Sequence, residues 1–161
     1  MIRIEIENTP EDTLRAMGLT LPEPPAAVGA YLSWQRFGRN VTTSFQLPWQ
    51  GRTLAYAGLV GHEVSVGDAI AAARLCALNG LAQLRQAADG DLRRVRMVRI
   101  DGHVGCALGF LDIPKVLDGA SRLVNEALGE RGLHARTALG HVVMPLNVPV
   151  MLGFLAEIDE Q

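Results

Sequence analysis

The chain has 161 residues, of which 48% are apolar and 20% charged, and carries a net charge of −2. That length suits one domain or one subunit of an oligomer, and the composition is ordinary for a soluble globular protein. A slightly acidic chain excludes a protein whose main task is coating nucleic acid, and two cysteines, Cys76 and Cys106, exclude a disulfide framework.

Residues 2–6, Ile-Arg-Ile-Glu-Ile, alternate apolar and polar side chains as a half-buried strand does. Thr9-Pro10-Glu11-Asp12 opens a short helix, with threonine as its cap and proline in the first helical position, and Gly18 ends it. The Pro-rich stretch 21–25 is an extended connector. Residues 31–37 and 40–45 read as two strands around a Gly38-Arg39 turn, and residues 53–57 as a shorter strand. Ser65-Val66-Gly67-Asp68 resembles a capping box with aspartate in the closing position. It starts a long helix to about Ala88 whose face of Ala69, Ala72, Ala73, Cys76 and Gly80 allows close approach to a sheet.

Asp89-Gly90-Asp91 breaks the chain. Residues 93–104 follow as a strand with Arg93, Arg94, Arg96 and Arg99 on its polar face, and a second long helix runs from Pro114 to about Gly129. Residues 134–158 read as two further strands joined by a Pro/Asn turn. No repeat or low-complexity tract divides the chain, so residues 1–161 form one domain. Its class is α+β, a mixed β-sheet with two main helices packed on one face. On the second closing strand Val150, Leu152, Phe154, Ala156 and Ile158 share one side, and Met151, Gly153 and Leu155 the other. On the first, Val142 shares the Arg136 side, and Leu139 and Val143 the other. Both faces are largely apolar, which predicts self-association.

The chemistry-bearing residues are few. His62, His103, His134 and His141 are scattered without metal-ligand spacing, so no metal site is expected. There is no nucleophile elbow and no phosphate-binding loop. No apolar run approaches the roughly 20 residues of a membrane span, and no secretory leader is recognisable, so a cytoplasmic location is the expectation. Cys76 reads as a small buried hydrophobe. Arg136 stands at the start of an apolar strand, and its planar fork of donors matches a carboxylate. It is either a ligand anchor or one half of an ordinary ion pair.

Three blocks, in order along the chain, carry a resemblance: Thr43-Ser44-Phe45-Gln46-Leu47-Pro48; Ala72-Ala73-Arg74-Leu75-Cys76-Ala77-Leu78-Asn79; and Arg136-Thr137 followed by Met144-Pro145 and the closing apolar strand. They are similar to the Rid (reactive intermediate deaminase) family, also called YjgF-like or endoribonuclease L-PSP-like, in a branch near this length. The likeness covers residues 28–158, and residues 1–27 form an N-terminal strand, short helix and connector. It implies a chorismate mutase-like fold and a homotrimer, with a small carboxylate metabolite bound at the subunit interface and no cofactor. Arg136 then holds the substrate carboxylate with help from the backbone N–H of Ala138, and Tyr31 and Ser44 are substrate-binding residues.

The departures from the family pattern lie in the pocket lining. Met151 stands where the family's deaminases carry a glutamate thought to orient water, and a thioether cannot take a proton. Phe45 replaces a glycine, Ala138 a cysteine, and Gly119 an asparagine. His134, two residues before Arg136, is either a pocket acid or base or a rim histidine. The resemblance therefore implies a possible imine or enamine deaminase that releases 2-keto acids and ammonia. The alternatives are a non-catalytic carboxylate-binding protein and, least supported, an endoribonuclease or translation inhibitor.

Overall fold

A computed structural model describes residues 8–160; the strand expected at residues 2–6 lies outside them. The first described element is helix α1 (Pro10–Ala16), closed by a complete capping box in which the Thr9 hydroxyl accepts from the Asp12 N–H and the Asp12 carboxylate accepts from the Thr9 N–H. Helix α2 (Val66–Ala87) begins at Ser65, whose hydroxyl accepts from the Asp68 N–H at 3.0 Å. Helix α3 (Ile113–Leu128) ends at Gly129, whose positive φ of 60° suits glycine.

The strands are β1 (Trp34–Phe37), β2 (Asn40–Thr43), β3 (Trp49–Gln50), β4 (Thr53–Leu54), β5 (Val95–Gly105), β6 (Ala135–His141) and β7 (Val150–Ile158). Five of them form one mixed sheet in the order β1-β2-β7-β5-β6, and β3 and β4 form a separate small hairpin. Only β5 and β6 run parallel, joined by the α3 crossover that a parallel pair requires. The two closing strands do not pair with each other. Both flank β5, and the turn between them passes through Leu146 and Asn147, each with positive φ.

Several boundaries differ from the sequence reading: β2 ends at Thr43 rather than at residue 45, and β4 at Leu54 rather than at residue 57. Tyr31 lies ahead of β1 in a bend where its N–H bonds the Gly29 carbonyl and its ring lies over Gly29, a space that a Cβ would fill. Strand β6 stops at His141, whose carbonyl accepts from Cys106 N–H, so Val142 and Val143 project beyond the sheet. Arg93 and Arg94 lie in a 3-10 turn before β5. Of the four arginines, Arg96 and Arg99 are on the strand, and they pair with Glu157 and Asp101.

The helices cover one face of the sheet. Val150, Leu152, Phe154, Ala156 and Ile158 of β7 are buried against them, with Val95, Met97, Ile100 and Val104 of β5. The close approach depends on glycine in two places. A Cβ on Gly80 of α2 would lie 2.2 Å from the Phe154 ring, and one on Gly102 of β5 would lie 2.4 Å from Leu117 of α3. Gly80→Ala gains about 1 kcal/mol of helix propensity. It also drives a methyl into an aromatic ring in a packed core, where overpacking costs roughly 1–3 kcal/mol. We expect Gly80→Ala to lower the denaturant midpoint; an unchanged or raised midpoint would show that Phe154 has room to move.

Candidate functional site

The side chains singled out by sequence fall into two groups on opposite faces of the sheet. The first lies on the helix side of the edge strand β6. Arg136 is aligned with Ile100, a core residue, and points toward α3. Its Nη1 donates to Asp118 Oδ1 at 2.9 Å and to Ser121 Oγ at 3.1 Å, and Nη2 makes a long contact of 3.4 Å to the Pro114 carbonyl. The arginine is thus held by a carboxylate of its own chain. Its side chain keeps 20% of its exposure, and Nε has no acceptor among the described residues. One edge of the guanidinium is anchored, and the Nε–Nη2 edge is left for a second carboxylate.

The backbone beside it is also available. The His141 carbonyl accepts from the N–H of Cys106, the residue that follows β5, so alternation along β6 turns the odd residues toward β5 and the N–H groups of Arg136, Ala138 and Gly140 toward the unpaired edge. The Ala138 N–H is therefore a free donor on the strand that carries the arginine. His134 joins the cluster through Ser121, with its Nε2 3.0 Å from Ser121 Oγ. His134 Nδ1 lies 2.6 Å from the Gly132 carbonyl. A carbonyl only accepts, so Nδ1 carries the proton and Nε2 accepts from the Ser121 hydroxyl. Gly119 is not part of this cluster. It packs on Ile70 of α2, where a Cβ would lie 2.8 Å from the Ile70 carbonyl oxygen.

The second group lies on the bare face. Tyr31, Ser44, Phe45 and Met151 line one groove of about 350 Å³ with Val28, Leu47, Pro145 and Leu146. The Ser44 hydroxyl donates to the Leu32 carbonyl, which leaves its lone pairs free. The Phe45 ring packs against Gly153, in a space that a Cβ would close, and meets the His103 ring edge-on with centroids 4.8 Å apart. His103 in turn bonds His141, Nδ1 to Nε2, at 2.7 Å. Phe45 thus builds an aromatic wall of the groove, for which Gly153 makes room.

Sequence reasoning did not find Asp118 and Ser121 as the partners of Arg136, nor the His103–His141 pair. Asp118 and Ser121 are three apart and share a face of α3, which was the one available signal. Among the described residues no group of three or more histidines, cysteines or acids could hold a metal, and no helix is long and apolar enough to cross a membrane. Both cysteines are buried and free, and burial pushes the Cys76 thiol well up.

Comparison with known proteins agrees with the fold. The family model described as "YjgF/chorismate mutase-like, putative endoribonuclease" matches residues 11–158. The chain belongs to this family. It is 41% identical to a candidate endoribonuclease of known structure from Shewanella oneidensis, over 94% of this chain and 100% of that one, with a TM-score of 0.90. It is 39% identical to Atu1372 from Agrobacterium tumefaciens, a protein of unknown function, over 93% and 92% of the two chains, with a TM-score of 0.87. It is 35% identical to protein TCP17 of Trypanosoma cruzi, over 91% of this chain and 92% of that protein.

Two histidines, one in each group, are held below the ordinary value of 6.5: His103 by burial and then by His141, and His134 by burial, which outweighs the opposing hydrogen bond to the Gly132 carbonyl, with Arg136 adding to the lowering. A depressed value means that the folded state takes up protons less readily than the unfolded chain. This contribution to stability is complete above 6.5 and is lost as pH falls from there through the folded-state values. We expect the thermal midpoint to fall below about pH 6.5 and His103→Gln to flatten that slope. A slope unchanged in His103→Gln and in His134→Gln would assign it to carboxylates.

Proposed function

We propose that this protein binds a small 2-imino or 2-keto carboxylate in clefts between copies of itself and hydrolyses the imine to a 2-keto acid and ammonia. The observation that carries this reading is the half-anchored guanidinium of Arg136. Asp118 and Ser121 hold Nη1, Nη2 makes only the long 3.4 Å contact to the Pro114 carbonyl, and Nε has no acceptor among the described residues, beside the outward N–H of Ala138. A carboxylate bound there replaces water with charge-assisted hydrogen bonds worth roughly 1.5–3 kcal/mol. Because Asp118 already neutralises one charge, the site suits a monoanion better than a dianion.

The groove of Tyr31, Ser44, Phe45 and Met151 supplies the other half of the site. Within one chain it lies across the sheet from Arg136, so a single copy cannot close both halves on one small molecule. A ring of copies, which the family resemblance makes a homotrimer, joins the groove of one to the Arg136 cluster of the next. The groove is apolar apart from two hydroxyls, which suits the aliphatic or aromatic side chain of an amino-acid-derived imine.

A second reading has one specific observation in its favour. Met151 occupies the position of the family's water-orienting glutamate, so the same cleft would bind keto acids without turnover. A nucleic-acid-directed activity has little support. Each arginine of the 93–99 stretch faces an acidic partner, Asp91, Asp89, Glu157 and Asp101 in turn.

The test generates imines with an L-amino-acid oxidase and follows keto-acid release with and without this protein. We expect acceleration by the wild type and its loss in Arg136→Ala, together with a keto-acid affinity weakened by roughly 10- to 100-fold. Full activity in Arg136→Ala contradicts the anchor. Keto-acid binding without acceleration selects the second reading.

A further inference from the structure

Two fully buried primary amides, Asn79 and Gln83, stand one turn apart on helix α2 among alanine, glycine and leucine. Both act as donors. Asn79 Nδ2 donates to the Leu47 and Trp49 carbonyls at 3.0 and 3.1 Å. Gln83 Nε2 donates to the Pro25 carbonyl at 2.7 Å and, at 3.4 Å, to Gln46 Oε1. Gln46 carries the connection further, since its own Nε2 donates to the Ser44 carbonyl at 2.9 Å. The oxygens Asn79 Oδ1 and Gln83 Oε1 are buried with no partner among the described residues. A buried unpaired acceptor is destabilising, and an apolar side chain of similar volume would avoid it. The work of these two residues therefore lies in the carbonyls that they hold.

Those carbonyls belong to the two irregular segments that wall the groove. Val28 and Tyr31 come from residues 25–31, and Ser44, Phe45 and Leu47 from residues 44–47. Neither segment is a strand of the sheet. The second meets β7 at a single bridge, Gln46 to Leu152, and among the described residues Gln83 makes the hydrogen bond that joins the first to a helix. Gln83 thus bonds one wall directly and reaches the other through Gln46.

We propose that Gln83, with Asn79 a turn away, is a positioning residue that fixes the spacing of the groove's walls and makes the site selective for carboxylates with a large apolar side chain. This inference rests on the reading of the groove as the side-chain half of the site. A segment without a ladder of backbone hydrogen bonds moves readily, and a wall that moves must be ordered each time a ligand arrives. Tying both walls to one long helix removes that ordering for a ligand that fills the groove of about 350 Å³. A ligand that barely enters the groove gains little from the tie. Arg136 is held by Asp118 and Ser121 and bonds neither amide, so its hold on a carboxylate is independent of them.

The experiment measures the Kd of two 2-keto acids by calorimetry, pyruvate and the 2-keto acid of leucine, on the intact oligomer. The variants are Gln83→Met, which keeps the volume and removes the donor, and Gln83→Asn, a milder change that keeps an amide but shortens its reach. Gly80→Ala, on the same helix, is the control for a general loss of stability. We expect the wild type to bind the leucine-derived acid about 10-fold or more tighter than pyruvate, since its longer side chain buries more apolar surface. In both Gln83 variants that preference should fall by about 10-fold, with the pyruvate Kd changed less than about twofold, and in Gly80→Ala it should stay. A preference kept in both Gln83 variants overturns the positioning role. So does a parallel loss of both ligands, or an equal loss of preference in Gly80→Ala. A wild type that binds the two acids equally overturns the groove reading together with this inference and leaves the anchor standing. Binding of neither acid overturns the anchor as well.

Discussion

Helices α2 and α3 cover one face of a five-stranded sheet, and no element of the described chain covers the other. That asymmetry follows from the residues that allow the close approach, Gly80 under Phe154 and Gly102 under Leu117, and from the alternation that sends every second side chain of β5, β6 and β7 to the far side. Arg136 goes with the helix face, and Met151, Phe45 and His103 go with the bare one. Phe45 and Leu139 stay 41% and 52% exposed there, and Val143 at the sheet's end 82% exposed. Such apolar surface is costly to leave in water. The proposed association of copies would bury it and bring the two halves of the site together.

The chemistry inside the helix-side half rests on one ion pair. Without Asp118, Arg136 would be an isolated cation at a sheet edge, free to swing. With it, one nitrogen is fixed and the other edge is pre-oriented, so less rotamer freedom is lost when a ligand arrives. Ser121 is held by the same nitrogen, and His134 by the Gly132 carbonyl. The cluster is thus ordered before any ligand binds, on a helix and a strand rather than on loops.

Much of the fold was legible in the sequence because its signals are local. The small-residue face of α2, the caps at Thr9 and Ser65, and the alternation of residues 150–158 follow from spacing alone. The sheet order was not, since nothing in residues 134–158 says that β5 comes between β6 and β7. At the site, the resemblance drew attention to Arg136, Tyr31, Ser44, Phe45 and Met151, but no spacing says which face of the sheet each would share. The helix positions were harder still. Gly119 was marked by alignment, but neighbouring helix positions point about 100° apart. The residues that meet Arg136 are Asp118 and Ser121, and Gly119 turns to α2. Tyr31 reads as a strand residue by type, whereas Gly29 before it allows the bend that aims it at the groove.

The central claim is that each site takes Arg136 from one copy and the groove from another. Subunit exchange between two inactive variants tests it most directly. One is Arg136→Ala, and the other is Ser44→Trp, which fills the groove. Mixed and re-equilibrated at equal amounts, they should recover keto-acid binding to about one quarter of the wild-type level, the share of sites that draw both intact halves at random in a cyclic assembly. No recovery, with mixed oligomers demonstrated by mass, would contradict a shared site and place both halves within one chain.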